Sequence, residues 1–260
     1  MDPLFIAASG MVAQQTRVDV IANNLANMNT TGYQKRRASF NDLLYETEKR
    51  PNNIHSRANG IVPGGVKSGA GVQVATAYRI MQQGNLRQTG NPLDLAIQGS
   101  GYFQVTLPNG QTAYTRAGAF QVDQNGRLVN HDGLPVGPGI TIPPNALEVS
   151  INRSGVVLAT LSPNTPPTNI GQLQMARFPN EGGLKAIGDN LLEATTESGA
   201  ATQGIPGTTG FGSIQQGFLE TSNVNPVEEI ANLIQAQRAY ELNSKVIQTA
   251  DRMMAPSGNS

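Results

Sequence analysis

Two heptad stripes, one at each end of the chain, restrict the fold more than any other feature. Near the start, Leu4, Met11, Val18 and Leu25 fall seven residues apart, with Ala7, Gln14, Ile21 and Met28 at the second position of the repeat. Near the end, Leu233, Tyr240, Ile247 and Met254 repeat in the same way, with Ile230 one turn ahead and Ala236, Asn243 and Ala250 between them. A period of about 3.5 residues keeps one narrow apolar seam turned toward a partner helix. Two such helices at opposite ends of one chain can close on each other and leave further faces to bury. The pattern therefore points to assembly more than to catalysis, with Leu4, Met11, Val18, Ile21, Leu25, Met28, Ile230, Leu233, Tyr240, Ile247 and Met254 as its seam.

Both helices carry boundary signals. Asp2 suits an N-cap, Pro3 a first helical position, and Asn29-Thr30-Thr31-Gly32 a stop. The second helix opens at Asn225-Pro226, has Glu228 and Glu229 in its electropositive first turn, and ends before Pro256. Gln14 and Asn243 break the apolar rows. They read either as tolerated polar gaps at a wet edge or as register-selecting amides.

Between the helices the chain changes character. Of 29 glycines, 26 lie between Gly60 and Gly217. Val72, Val74, Thr76, Tyr78 and Ile80 share one parity, as a half-buried strand requires. Runs at 102–107 and 120–122 lead into Asn109-Gly110 and Asn125-Gly126, and Asn-Gly pairs tolerate the positive φ of tight hairpins. Further strand candidates are 147–151, 156–161, 173–178 and 214–219. The expected fold class is α+β: N- and C-terminal helices pairing as an antiparallel coiled coil, with an inserted, mostly antiparallel β domain. The expected divisions are a helix over 1–32, a connecting region over 33–80, a β domain over 81–205, a return connector over 206–224 and a helix over 225–260. Residues 47–69, rich in Pro, Asn and Gly and without periodicity, read on composition as a flexible linker.

Most chemistry is excluded. Formal net charge is zero and only 14% of residues are charged, so no basic face offers phosphate contacts and nucleic acid is not an expected partner. The chain has no cysteine, which excludes disulfides and thiolate metal ligation. His55 and His131 stand in loop-like surroundings outside any metal-binding pattern, and no cofactor is expected. Asp123 and Asp132 precede hairpin-type turns, where aspartate bonds nearby backbone. Gly99-Ser100-Gly101 does not complete a nucleophile-elbow pattern, and no phosphate-binding loop occurs. The apolar run from Leu4 to Met11 is short and lacks a basic region before it, so a cleaved secretory signal is not expected. No stretch approaches the roughly 18 apolar residues of a membrane span.

Three long segments carry a resemblance. ASGMVAQQTRVDVIANNLANMNTTGYQ (8–34) resembles the N-terminal signature of the bacterial flagellar axial proteins, with Asn23, Asn24, Asn27, Gly32 and Tyr33 as its marked positions. QGFLETSNVNPVEEIANLIQAQRAYELNSKVIQTADRMM (216–254) is similar to their C-terminal signature, with Ser222, Asn223, Val224, Gln237, Arg238 and Tyr240. DLAIQGSGYFQV and AYTRAGAFQVDQNGRLV resemble the β domain that rod and hook proteins share. The pattern after Asp42-Leu43-Leu44-Tyr45 is similar to the distal rods.

The resemblance implies a non-enzymatic subunit of the distal rod, stacking helically into a hollow, stiff drive shaft that passes motor torque to hook and filament. Implied partners are further copies, the proximal rod proteins, the hook protein, the bushing rings and the flagellar type III export apparatus. The implied place is the basal body, the rod spanning the periplasm, reached without a cleaved signal. It also implies that residues 47–69, Pro51, Asn52, Asn53, Pro63 and Gly64 among them, brace neighbouring subunits and confer stiffness rather than serving as a linker. Alternatives are a proximal-rod or hook-type relative, a β-rich adhesin trimerising through its ends, and a peptidoglycan-acting enzyme. Insertion of the β region between the helices speaks against the adhesin, and the lack of a convincing carboxylate pair against the enzyme.

Overall fold

A computed structural model describes residues 3–47, 67–163 and 165–254. Pro51, Asn52, Asn53, His55, Pro63 and Gly64 lie outside the described residues, as do Asp2 and the tail Pro256 to Ser260. Helix α1 spans Pro3–Ala26 and starts at the expected proline. There follow β1 (Arg36–Asp42), β2 (Tyr45–Thr47), β3 (Lys67–Gly69), β4 (Val72–Arg79), β5 (Leu86–Gln88), β6 (Leu95–Gln98), β7 (Tyr102–Thr106) and β8 (Thr112–Thr115). Next come β9 (Gln121–Val122), β10 (Leu128–Val129), β11 (Glu148–Ile151), β12 (Val156–Thr160), β13 (Thr168–Gln172) and β14 (Met175–Arg177). The last strands are β15 (Lys185–Gly188), β16 (Leu191–Glu193), β17 (Thr202–Gly204), β18 (Ser213–Gln216) and β19 (Phe218–Glu220), before α2 (Pro226–Met254). The expected α+β class is observed: a helix at each end and a mostly antiparallel β region between.

The chain divides into two compact units, one drawing on Met1–Leu25, Arg36–Tyr78 and Pro226–Ser260, the other on Ala26–Lys35 and Arg79–Asn225. In the first, α1 packs on the β1–β4 ribbon. The Ser9 hydroxyl accepts from the Val72 amide at 3.3 Å, and Gly71 lies so close to the helix that a Cβ there would stand 2.4 Å from Ser9 Oγ. The alternation expected along β4 holds only at its start. Val72 and Val74 are half-buried, whereas Thr76 and Tyr78 are exposed. The sheet here has only two strands, so parity alone supplies no layer to cover its far half.

In the second unit a six-stranded antiparallel sheet runs β15-β16-β8-β7-β14-β17, beside a three-stranded sheet β11-β12-β13 and the pairs β18-β6, β19-β5 and β10-β9. The β7–β8 hairpin turns through Pro108-Asn109-Gly110, with Phe103 opposite Thr115 and Thr106 opposite Thr112. The main core joins Leu95, Ile97, Phe103, Phe120, Leu128, Val157, Leu173, Met175 and Ile214. Phe103 and Phe120 meet edge to face at 5.0 Å, the geometry their ring quadrupoles favour. A second cluster packs Tyr114 edge-on against Phe178 at 4.7 Å.

A buried charge pair ties these strands to the segments that enter and leave them. Arg116 Nε donates to Glu220 Oε2 at 3.0 Å, with only 7% and 2% of the side chains exposed. Arg116 Nη1 also donates to the carbonyls of Gly99 (2.8 Å) and Gly101 (2.7 Å), and its guanidinium lies 5.8 Å from the centre of the Tyr102 ring. The other Glu220 oxygen accepts from the Gly84 amide at 3.0 Å, and its backbone carbonyl accepts from Gly32 N at 2.9 Å. Glycine is required at both positions. Gly32 has φ +68° and a Cβ there would stand 2.6 Å from Ala117 N, while one on Gly84 would stand 1.9 Å from the Thr221 carbonyl oxygen.

Removing one partner leaves the other buried and uncompensated, at a cost of about 3–5 kcal/mol. Arg116→Met should therefore lower the urea midpoint of this β unit sharply, followed by tyrosine fluorescence. The double variant Arg116→Met/Glu220→Leu should lose clearly less than the sum of the two single changes, because neither charge is then stranded. Additive losses would show that the pair carries no coupling.

Candidate assembly interface

Polar contacts and a close glycine approach join α1 and α2. Asn24 Nδ2 donates to Glu229 Oε2 at 3.2 Å, Arg17 Nη2 lies 3.5 Å from Asn232 Oδ1, and Gly10 faces the Asn243 amide, where a Cβ would stand 2.8 Å from Nδ2. As the α1 number rises the α2 number falls, so the helices touch in antiparallel sense. Buried around these contacts are Ala7, Ile21, Ala236 and Ala250. Gln14 Oε1 is buried without a hydrogen-bond partner among the described residues.

Of the expected seam, Ile21 is buried, and Leu4, Met11, Val18, Leu25, Leu233 and Ile247 are half-buried. Met28, Ile230 and Tyr240 are exposed, and the Met254 side chain lies outside the described residues. Further large apolar side chains stand exposed on the same helices: Phe5 and Val12 on α1, and Val227, Ile234, Leu242, Val246 and Met253 on α2.

The signature asparagines fasten backbone. Asn24, 1% exposed, makes a two-way bond with Arg36: its Nδ2 donates to the carbonyl and its Oδ1 accepts from the amide, both at 2.8 Å. One side chain thus anchors the start of β1 and meets Glu229 of α2. Asn223 does the equivalent in the other unit. Its Oδ1 accepts from Lys35 N at 2.7 Å, and its Nδ2 donates to the carbonyls of Ile80 (3.0 Å) and Gln82 (2.8 Å). Asn223 N donates to the Tyr33 carbonyl at 3.3 Å, Ser222 Oγ accepts from the buried Val224 amide at 3.3 Å, and Asn27 Oδ1 accepts from the Thr30 hydroxyl at 3.2 Å. Asn23, Gln237 and Arg238 are exposed on the helices.

The titratable groups singled out from sequence do not converge. Asp123 Oδ1 accepts from the amides of Asn125 and Arg127, both at 2.8 Å, and the Arg127 N–H bond leads the effects that hold its carboxyl below the usual range. In the next turn the capping role expected of Asp132 belongs to Asn130, whose Oδ1 accepts from the amides of Asp132 and Leu134. Tyr102 donates to Glu181 Oε2 at 3.0 Å; burial, reinforced by that carboxylate, pushes its phenol far above the usual value. His131 is exposed in a turn. Among the described residues no group of His, Asp and Glu could hold a metal ion, and no helix is long and apolar enough to cross a membrane.

Comparison with known proteins agrees with this division of the chain. Residues 4–34 match the family model of flagella basal body rod proteins, 96–159 that of the flagellar hook protein FlgE/F/G D1 domain, and 215–256 that of the flagellar basal body rod FlgEFG protein C-terminal region. The flagellar basal-body rod protein FlgG of Caulobacter vibrioides is 54% identical over 254 residues, covering 98% of this chain and 97% of that protein. This chain belongs to the flagellar basal-body rod proteins. FlgG of Agrobacterium fabrum is 52% identical, covering 97% of each chain, whereas the rod protein FlgF of Caulobacter vibrioides is 34% identical over 94% of this chain and 91% of its own. The chain is thus a structural rod subunit of the FlgG, or distal-rod, kind and not an enzyme.

Arg116, Glu220 and Asn232 had not been singled out from sequence, and Glu229 only as an acid of the first helical turn. All four lie inside the motifs that carry the resemblance, so their presence was visible although their contacts were not. Asn24→Ala should detach the start of β1 and leave the Glu229 carboxylate without that donor, costing about 1–3 kcal/mol for each buried group left unpaired. Hydrogen exchange should show the Arg36 amide losing protection ahead of the β7 and β8 amides; unchanged protection at Arg36 would remove Asn24 from this role.

Proposed function

We propose that copies of this chain stack helically into the hollow, stiff distal section of the flagellar rod, with α1 and α2 pairing as an antiparallel coiled coil at the core of the contacts. The observation that carries this reading is the set of large apolar side chains left on α1 and α2 outside their mutual contact. Val12 is 60% and Leu242 62% exposed. Full burial of each such side chain contributes about 1.5–3 kcal/mol. Within one chain these side chains stay exposed, so neighbouring copies supply their burial. The seam residues from Leu4 to Met254 act at this level, the half-buried ones completing their burial on assembly. The further partners are the proximal rod proteins, the hook protein, the bushing rings and the type III export apparatus. The place is the rod where it spans the periplasm.

Ile234→Asp and Leu242→Asp test this directly. Both positions are exposed in the subunit, so its unfolding free energy from urea titration should stay within about 0.5 kcal/mol of the parent, while rods seen by electron microscopy of isolated basal bodies should be lost. Normal rods and motility in both variants would overturn the assignment of these faces. The stiffness role belongs to the same proposal. Deleting residues 47–69 should leave a polymer that forms but curves, and straight rods of ordinary appearance would assign stiffness elsewhere.

A further inference from the structure

The second unit carries two surface features that the helix contacts do not use, and they sit at opposite ends of β11. At its start is a groove of about 450 Å³, lined by Leu93, Val122, Asp123, Leu147, Glu148 and Val149 among others. Leu147 is 65% exposed and Val122 41%. Gln216 holds the groove in shape: its Oε1 accepts from Ile151 N at 3.0 Å and its Nε2 donates to the carbonyls of Pro92 and Val149, both at 2.8 Å. Asp123 is engaged by Arg127 at 3.0 Å, whereas Glu148 has no cationic partner among the described residues. The groove is apolar, pre-shaped and net acidic.

Beyond the other end of β11 stands an apolar knob with cations beside it. The loop from Ile205 to Gly207 packs on the Arg153–Gly155 turn, where a Cβ on Gly155 would lie 2.9 Å from Pro206 Cγ. Arg177 Nη1 reaches the Gly210 carbonyl of the same loop at 3.4 Å. Ile205 is 42% exposed, and neither Arg153 nor Arg177 has a carboxylate partner among the described residues. At about 3.3 Å per residue, β11 from Glu148 to Ile151 spans about 10 Å, and the turn that carries Arg153 lies beyond its far end. The knob therefore faces a second copy more readily than its own groove.

We propose that the Ile205 loop of one copy, with Arg153 and Arg177, seats in the Leu147–Glu148 groove of the next. Unlike patches that complement each other make a heterologous contact, which repeats from copy to copy without closing. An apolar anchor in a pocket rimmed by opposite charges is also the layout in which a few residues dominate binding. The inference rests on the helical-assembly reading above.

The absence of cysteine from the chain makes the contact directly testable. In cells whose only copy carries Leu147→Cys and Ile205→Cys, isolated basal bodies are oxidised and run on a non-reducing gel. The expected result is a ladder of dimers and higher multimers, absent from either single-cysteine chain and from the control pair Asn109→Cys/Ile205→Cys. Rods without the ladder, or an equal ladder from the control, overturn the contact and leave the assembly reading standing. Failure of the parent chain to build rods overturns both. Should the cysteine pair itself prevent rods, the charge swap decides. Glu148→Lys and Arg153→Glu should each lower rod recovery by about tenfold and the double exchange should restore it; singles without effect, or a double as poor as the singles, overturn the contact.

Discussion

The buried Arg116–Glu220 pair is the constraint around which the β unit is arranged. Each ion alone would lose several kcal/mol on leaving water. Here each finds enough partners: Arg116 meets a carboxylate oxygen and two carbonyls, while Glu220 meets a guanidinium and an amide. These partners come from separate passages of chain, at Gly84, Gly99, Gly101, Arg116 and Glu220, and Gly32 joins through the Glu220 carbonyl. They must converge together, because any one missing strands a buried polar group. Such a pair does more to specify which passages meet than to raise stability. The glycines follow from that convergence, since the chain approaches too closely for a Cβ at Gly32 or Gly84.

Asn24 and Asn223 extend the same logic with neutral groups. Each uses a side-chain amide as a piece of backbone, offering donor and acceptor to backbone groups. Asparagine suits this because its short amide presents both functions in one plane. An aspartate would lose the donors, and a glutamine would add a methylene to sites that are closely packed.

The parts of this fold that local chemistry dictates were legible in the sequence. Pro3 and Pro226 open the helices, Asn109-Gly110 and Asn125-Gly126 turn their hairpins, and the runs at 102–107, 147–151 and 156–161 became β7, β11 and β12. Parity failed on β4, where Tyr78 follows the buried alternation yet stands exposed, because alternation encodes a face but not the layer that covers it. The polar clasps were invisible for a related reason. Arg116 and Glu220 carry no local signal and Glu229 reads only as a first-turn acid, and only the path of the chain reveals that their partners lie 104 and 205 residues away, in Glu220 for Arg116 and Asn24 for Glu229.

The helices show why a rod subunit would be built with a weak internal seam. Gly10, Asn24, Glu229, Asn232 and Ala236 bring α1 and α2 together through small side chains and specific polar contacts. Those contacts set register at modest gain, about 0.5–1.5 kcal/mol for an ordinary hydrogen bond. The residues with most to gain from burial, Phe5, Val12, Ile234 and Leu242, stay outside that contact. With these small and polar residues at the contact, orientation is set within one chain, and the exposed apolar side chains are left for the contacts between copies proposed above. In the proposed assembly, ordering the helices and adding a subunit draw on the same free energy, so that assembly, rather than folding alone, is the step that completes the structure.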